Sequence, residues 1–207
     1  LDVAGKQNNW KITTYLRASC PLSETYRIQA SEFNNACPKW VNQVSDDLGE
    51  GDYKLVLVSA FSMHTYNSPS GELGVAEGMA QALQPAIASG AQIAFIRDTP
   101  IPQTAGQADV PACVDRYRDA LMRCSFSRGD AILKDPQELA ASLIPGAVFL
   151  DLSKYFCDQI TCFAVIGNVV VYKDGDHISA TYSKTMGSIL ATELATYLEK
   201  AGNVHTQ

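Results

Sequence analysis

The sequence predicts an α/β domain with a mostly parallel sheet and helices on both faces. Short apolar runs alternate along the chain with longer segments of helical periodicity, which is the pattern of strand–helix–strand units. The runs at residues 53–58 and 91–96 are almost continuously apolar, as expected for strands that are buried on both faces. Strands that are connected through helices in this way favour a parallel sheet.

The first half of the chain contains most of the predicted strands. Runs of apolar residues predict strands, and apolar residues at helical spacing predict helices. Pro85 is expected to bend the helix that contains it, because proline has no N–H to donate. The predicted elements are a helix at residues 1–9, a strand at 11–16, a loop at 21–34, a helix at 38–48, the strand at 53–58, a helix at 72–89 and the strand at 91–96.

The second half has clearer start and stop signals. A capping box at residues 135–138, with proline at the first helical position, starts a helix that ends before Pro145. Gly167 and Asn168 separate two apolar runs and predict a hairpin turn. The last helix carries its apolar residues on one face. The predicted elements are a loop at 98–111, a helix at 114–122, the capped helix, a strand at 147–152, the hairpin at 163–172 and a helix at 179–200.

The composition is that of an ordinary globular protein. The 207 residues are 46% hydrophobic and 18% charged, and no window approaches the ~18 consecutive apolar residues of a membrane span. The net charge of −6 leaves no basic stripe, which argues against nucleic-acid binding. His64, His177 and His205 are too dispersed to suggest a metal site. Leu1 is not an initiator methionine, so we expect residues 1–207 to be one domain that is truncated at its N-terminus.

The six cysteines fall as neighbours in the sequence. None of them forms the CxxC pairs of a zinc ribbon or a thioredoxin-like site. One interpretation is six buried free thiols of a cytosolic protein. We favour three disulfides and an oxidising compartment, because the count is even and loop closure favours local pairing. The expected pairs are Cys20–Cys37, Cys113–Cys124 and Cys157–Cys162.

The segment with the strongest chemical signal is residues 174–179, between the hairpin and the last helix. Asp174 precedes His177 by three residues, so its carboxylate can fold back onto the imidazole and hold one ring nitrogen protonated. The other nitrogen is then free to act as a base. Asp176 is a second candidate for the orienting role, but we prefer Asp174 because adjacent side chains on a loop diverge. The alternative is a surface histidine near a helix start, with Asp174 forming a turn before Gly175.

A set of blocks in a fixed order adds to this signal. The blocks are Ser19-Cys20-Pro21, Asp98-Thr99-Pro100, Val110-Pro111-Ala112-Cys113 with Cys124, Phe156-Cys157 with Cys162, and Asp174-x-x-His177. As a set, and essentially from end to end, they resemble the extracytoplasmic SGNH domain that is fused to bacterial membrane acyltransferases of acyltransferase family 3. The resemblance implies a flavodoxin-like, three-layer α/β/α fold and a Ser-Asp-His triad that transfers acyl groups to hydroxyls of cell-surface glycans. It assigns the acid role to Asp174 and the base role to His177, and it implies no cofactor or metal.

The nucleophile that the resemblance implies is absent from the sequence. In the family it lies in a Gly-Asp-Ser-His-like block at the end of the first strand, and no Gly-Asp-Ser occurs here. We therefore expect the serine upstream of Leu1, on a strand that lies between those at residues 11–16 and 53–58. That serine is expected within hydrogen-bond reach of His177.

Four residues are weaker candidates for the oxyanion or substrate site. Ser59 and Ser62 follow the predicted strand at 53–58, where α/β proteins place active-site groups. The family's Gly-x-Asn-Asp pattern is missing there, so a backbone N–H or a hydroxyl would have to act as donor. Ser19 stands where the family has a glycine, and His64 is a candidate for the cleft wall. The plain alternative for Ser59 and Ser62 is an ordinary strand-end loop, and for His64 it is a solvated loop histidine.

The resemblance implies an extracytoplasmic domain that is tethered to a membrane acyltransferase domain. That domain would deliver the acyl donor, and the acceptor would be a cell-envelope glycan. Two alternatives stay open from the sequence. One is a degenerate SGNH-like domain that binds glycan without chemistry, and the other is a secreted carbohydrate esterase.

Overall fold

The computed structural model describes residues 1–25, 33–62 and 71–204. Helices and strands alternate along most of the chain. In chain order they are α1 (Asp2–Asn8), α2 (Phe33–Glu50), β1 (Leu55–Val58), α3 (Gly71–Ala82), α4 (Gln84–Ala88), β2 (Gln92–Ile96), a 3₁₀ turn (Pro102–Ala105), α5 (Val110–Arg116), a second 3₁₀ turn (Leu121–Cys124), β3 (Phe126–Ser127), α6 (Arg128–Ala131), α7 (Pro136–Leu143), β4 (Val148–Leu150), a third 3₁₀ turn (Ser153–Tyr155), β5 (Thr161–Cys162), β6 (Val165–Ile166), β7 (Val169–Val170) and α8 (Ala180–Val204).

The chain forms two compact units. We call them the sheet unit (Thr13–Asp98, Lys134–Leu150 and Leu198–Gln207) and the hairpin unit (Leu1–Ile12, Thr99–Leu133 and Asp151–Tyr197).

The sheet unit is built on three parallel strands in the order β1-β2-β4. Leu55 pairs with Gln92 in the first ladder and Ala94 pairs with Val148 in the second. The central strand β2 is the most deeply buried of the three, as its continuous apolar run predicts. Among the described residues, β1 is an edge strand. The predicted parallel α/β sheet is therefore confirmed.

Helices α2, α3, α4 and α7 form the rest of this unit's core. Valines, alanines and Met79 of these helices are almost completely buried with Ile93 and Phe95 of β2. The helix predicted at 72–89 with a bend at Pro85 is divided into α3 and α4. Pro85 lies in the first turn of α4, where the backbone N–H would have no partner within the helix. The Ser45 hydroxyl donates to the Ala82 carbonyl at 2.7 Å, which ties α2 to the end of α3.

Two predicted elements are wrong. Residues 11–16 are not a strand: Leu16 is 87% exposed, and no backbone hydrogen bond within the described ranges pairs these residues with a strand. A strand needs a ladder partner, and a short β-branched run does not supply one. We expected an additional strand between residues 11–16 and β1. Because residues 11–16 are not a strand, they do not form one side of that position in the sheet. The helix expected at 114–122 lies instead at Val110–Arg116, because Asp109 caps it by accepting the Ala112 N–H at 3.0 Å.

The hairpin unit contains the predicted turn and the long C-terminal helix. Strands β6 and β7 pair antiparallel, and Gly167 and Asn168 between them have φ values of 56° and 63°. Two positive φ values in succession are those of a type I′ turn, which matches the twist of a hairpin. Behind the hairpin, the Tyr172 ring is fully buried and contacts Phe126 edge-on at a centroid distance of 5.6 Å. The unit therefore has its own aromatic core.

All three predicted disulfides are present. They join Cys20 to Cys37, Cys113 to Cys124 and Cys157 to Cys162, with Cα–Cα distances of 5.6, 5.7 and 3.9 Å. No cysteine remains free. Across the described helices, none combines the length and the apolar character needed to cross a membrane.

Candidate active site

The loop that carries Asp174 and His177 is closed at its base by the strand before it and the helix after it. The Lys173 N–H donates to the His177 carbonyl at 3.0 Å, and the Ser179 N–H donates to the Val171 carbonyl at 2.7 Å. The Ser179 hydroxyl donates to the Val170 carbonyl and accepts the Tyr182 N–H at 3.1 Å, so it caps the start of α8. The loop is thus short, and hydrogen bonds fix both of its ends.

Asp174 folds back onto the residues that follow it. Its Oδ1 accepts the N–H groups of Asp176 at 3.0 Å and of His177 at 2.7 Å. Both carboxylate oxygens also face the His177 ring, with Nδ1–Oδ1 and Nδ1–Oδ2 distances of 3.1 and 3.0 Å. An imidazole protonated at Nδ1 donates to this carboxylate and keeps a lone pair on Nε2. The His177 side chain is 63% exposed, so solvent or a ligand can reach that ring.

We expected the side chain of Asp176 to point away from His177, but the two side chains are in contact. The Asp176 Oδ1 lies 2.6 Å from His177 Nδ1. The cause is the turn: Asp174 accepts two consecutive N–H groups, which curls the backbone and brings neighbouring side chains to the same side. Two carboxylates therefore face one ring nitrogen.

Hydrogen bonding holds Asp174 in its charged form. Partial burial raises the pKa of this carboxyl, but the N–H groups of Asp176 and His177 and the His177 ring outweigh it and lower the pKa to about 2. A carboxyl whose pKa falls on folding stabilises the fold above its unfolded-state pKa of roughly 4 and loses that contribution as the pH falls toward 2. Asp174 is thus an anion throughout the neutral range, as an orienting carboxylate must be.

The same three side chains also satisfy the spacing of a cation site. One ligand atom from each of Asp174, Asp176 and His177 lies within 4.8 Å of the others. The histidine atom that faces the carboxylates is Nδ1, so proton and cation would compete for that position. The sequence did not indicate this cluster, because Asp176 was expected to point elsewhere.

Ser62, a candidate oxyanion donor, is committed to another residue. Its N–H and its hydroxyl both donate to Asp98 Oδ2 at 2.8 Å, and the residue is 3% exposed. Ser59 is exposed directly after β1, and Ser19 is half-buried with a φ of 55°. His64 lies outside the described residues. Of the two candidates after β1, Ser59 alone is without a hydrogen bond to Asp98.

A buried polar cluster behind the ends of β1 and β2 was not predicted. Asp135 is 3% exposed and accepts the Asp98 N–H at 2.9 Å. Gln137 is fully buried, and its amide Nε2 donates to the carbonyls of Ala60 at 3.3 Å and Ile96 at 3.2 Å. The capping box predicted that α7 starts at Asp135. No sequence pattern shows that the side chains of Asp135 and Gln137 connect the ends of β1 and β2.

Comparisons with known proteins agree with this architecture. A family model described as "SGNH domain (fused to AT3 domains)" matches residues 1–192. Among solved structures, the chain is similar to the periplasmic domain of a lipopolysaccharide acetyltransferase of Salmonella ser. Paratyphi A. The TM-score is 0.68 at 11% sequence identity, over 94% of this chain and 77% of that chain. No curated protein sequence matches. Because the family model spans nearly the whole sequence and the fold agrees with it, the chain belongs to the family of SGNH domains that are fused to AT3 domains.

Proposed function

We propose that this chain is the catalytic, extracytoplasmic domain of a membrane O-acyltransferase that transfers an acyl group to a hydroxyl of a cell-envelope glycan. The observation that supports this most strongly is the contact between both Asp174 carboxylate oxygens and His177 Nδ1 in an exposed loop. Membership of a family whose domains are fused to AT3 domains supports the membrane partner. The solved lipopolysaccharide acetyltransferase domain of similar fold supports the substrate class.

The proposed reaction has two acyl transfers. A serine Oγ attacks the carbonyl of the acyl donor while His177 Nε2 takes the hydroxyl proton, and the imidazolium then protonates the leaving group. In the second transfer the glycan hydroxyl attacks the acyl-serine, and its proton returns to the serine through the same nitrogen. Asp174 stabilises the imidazolium and fixes the ring.

In this proposal the nucleophile is a serine of a segment that precedes residue 1. The support is that the family's Gly-Asp-Ser block does not occur in residues 1–207. Among the weaker oxyanion candidates we favour Ser59, because both donors of Ser62 are already used by Asp98. The three disulfides support an oxidising compartment outside the cytoplasm.

One observation favours a second candidate function. Residues 1–207 lack part of the expected set of oxyanion donors. The Gly-x-Asn-Asp pattern is missing, and both donors of Ser62 bind Asp98. A glycan-binding SGNH-like domain without chemistry would not need such donors. A free-standing secreted esterase is the third alternative, and membrane helices encoded in the same gene would exclude it.

Hydrolysis of a nitrophenyl acetate by the full-length protein separates these alternatives. We expect turnover that falls by about 10²- to 10⁴-fold in His177→Ala and is also reduced in Asp174→Asn, because general base catalysis contributes roughly that factor. His205→Ala and Asp119→Asn are matched controls that remove a histidine and a carboxylate elsewhere. Turnover that is unaffected by His177→Ala would contradict the triad, and absence of turnover in the wild-type protein would favour the binding domain.

A further inference from the structure

The Asp174–His177 loop has a second support besides its two ends. The 3₁₀ turn Pro102–Ala105 lies against the tip of the loop. The Gln103 N–H donates to the Gly175 carbonyl at 2.9 Å, and the Gln103 amide Nε2 donates to Asp176 Oδ2 at 3.2 Å. One residue therefore holds both the backbone and a carboxylate of the loop.

The turn that carries Gln103 is itself anchored to helix α6. The Ile101 N–H donates to the Ala131 carbonyl at 2.8 Å. The Thr104 hydroxyl lies 2.8 Å from the Ile101 carbonyl and 2.7 Å from the Asp130 carbonyl. Because these bonds are independent of the loop, the turn is a fixed surface against which the loop rests.

Gly175 allows this close approach. A Cβ added at Gly175 would lie 2.8 Å from the Ala108 carbonyl oxygen and 3.1 Å from Gln103 Cβ. The first of these is a backbone atom, so it cannot move aside by a side-chain rotation. A side chain at residue 175 would therefore push the loop away from the turn.

The contact with Asp176 bears directly on His177. Asp176 uses Oδ2 to accept the Gln103 amide, while its Oδ1 lies 2.6 Å from His177 Nδ1. Asp174 faces the same nitrogen from its own side. A neutral imidazole between two carboxylates is stabilised with its proton on Nδ1, which leaves the lone pair on Nε2.

From these contacts we propose that Gln103 is a positioning residue, which holds the Asp176 carboxylate against His177 and thereby favours the imidazole tautomer with the proton on Nδ1. The consequence for catalysis rests on the proposed function, whereas the consequence for the tautomer does not.

Nitrogen NMR of the 207-residue chain tests the tautomer directly. The chain has three histidines, so His177→Ala assigns the His177 signals. At a pH where the ring is neutral we expect the Nδ1–H form to predominate. Gln103→Met removes the amide donor at similar volume, and we expect the ratio of Nδ1–H to Nε2–H to fall by roughly 2- to 5-fold, as for one exposed polar contact.

Two further variants keep the test decisive. Gln103→Glu places a second carboxylate beside Asp176 and should shift the ratio in the same direction, while Gln107→Met in the same loop is the matched control. Circular dichroism shows that each variant is folded. A ratio in Gln103→Met and Gln103→Glu equal to that of the wild-type chain would overturn the proposal.

A double-mutant cycle in the full-length protein tests the consequence for catalysis. We expect Gln103→Met to lower kcat for nitrophenyl acetate several-fold with KM unchanged, and to have no further effect when Asp176→Ala is already present. Equal effects in both backgrounds would show that Gln103 does not act through Asp176. If His177→Ala leaves turnover unchanged, the proposed function fails, but the tautomer measurement still decides the role of Gln103.

Discussion

The buried carboxylate of Asp135 connects three parts of the sheet unit. It accepts the Gln137 N–H at 3.0 Å and so caps α7, and it accepts the Asp98 N–H at the end of β2. Asp98 in turn accepts both donors of Ser62 after β1. Burial raises the pKa of the Asp135 carboxyl, and the N–H groups of Asp98 and Gln137 offset only part of that effect.

The raised pKa of Asp135 predicts a pH dependence of stability. Between the unfolded-state pKa, roughly 3.9, and the higher folded-state pKa, the folded chain binds the proton more tightly. The free energy of unfolding should therefore fall as the pH rises through that interval, and level off above the folded-state pKa. Urea unfolding of the wild-type chain and of Asp135→Asn measures this, and the variant should lose this part of the slope.

A matched control for this prediction is Asp109→Asn, which alters the exposed cap of α5. Asp135→Ala should cost about 1–2 kcal/mol, since it removes the α7 cap. If Asp135→Asn keeps the full pH slope of the wild-type chain, the buried carboxyl is not its source.

The residues of the candidate site were only partly predictable from the sequence. Spacing alone indicated that Asp174 could reach His177, because a carboxylate three residues before a histidine on a loop can fold back onto the imidazole. The approach of Asp176 depends on how the backbone curls, and the contact of Gln103 joins residues 73 positions apart. Neither of these leaves a local pattern in the sequence.

At the scale of elements, the disulfides cross-link irregular segments to neighbouring elements, and five of the six cysteines are buried in the two hydrophobic cores. Cys20–Cys37 ties the irregular segment before α2 to that helix, and Cys113–Cys124 closes the segment from α5 to the second 3₁₀ turn. Cys157–Cys162 closes the short stretch that leads into β5. None of them links two strands of the parallel sheet.

Loop length predicts the relative contribution of each disulfide. The cysteines are separated by 17, 11 and 5 residues, which corresponds to about 3, 3 and 2 kcal/mol in the chain-entropy model. Paired Cys→Ser variants, compared by urea unfolding, measure these values. We expect Cys157→Ser with Cys162→Ser to cost least, and a larger loss there than for the Cys20–Cys37 pair would contradict the entropic account.

The elements themselves were predicted where local signals and tertiary contacts agree. The helix capped by Asp135 and the run of β2 combine a local signal with burial. The hairpin at Gly167-Asn168 combines a turn signal with strands that are partly buried against the aromatic core. Residues 11–16 have a strand-like composition, but Ile12 and Leu16 are exposed, so composition without a partner did not produce a strand. The start of α5 was missed because the Asp109 cap was assigned to a loop.

At the scale of the whole molecule, the parallel sheet agrees with the family, and we propose that a serine preceding residue 1 completes the active site. The sequence identified the family through an ordered set of blocks, which single motifs would not have done. It could not provide the geometry of the candidate oxyanion donors, because that depends on hydrogen bonds such as those between Ser62 and Asp98.

The central claim, that His177 activates a serine nucleophile, is tested most directly by covalent labelling of the full-length protein. A fluorophosphonate reacts with activated serines, and mass spectrometry of the digested protein identifies the modified residue. We predict one labelled serine in a segment that precedes residue 1, with labelling at least about 10²-fold slower in His177→Ala. No labelled serine, labelling of Ser19, Ser59 or Ser62, or labelling whose rate is independent of His177 would contradict the account.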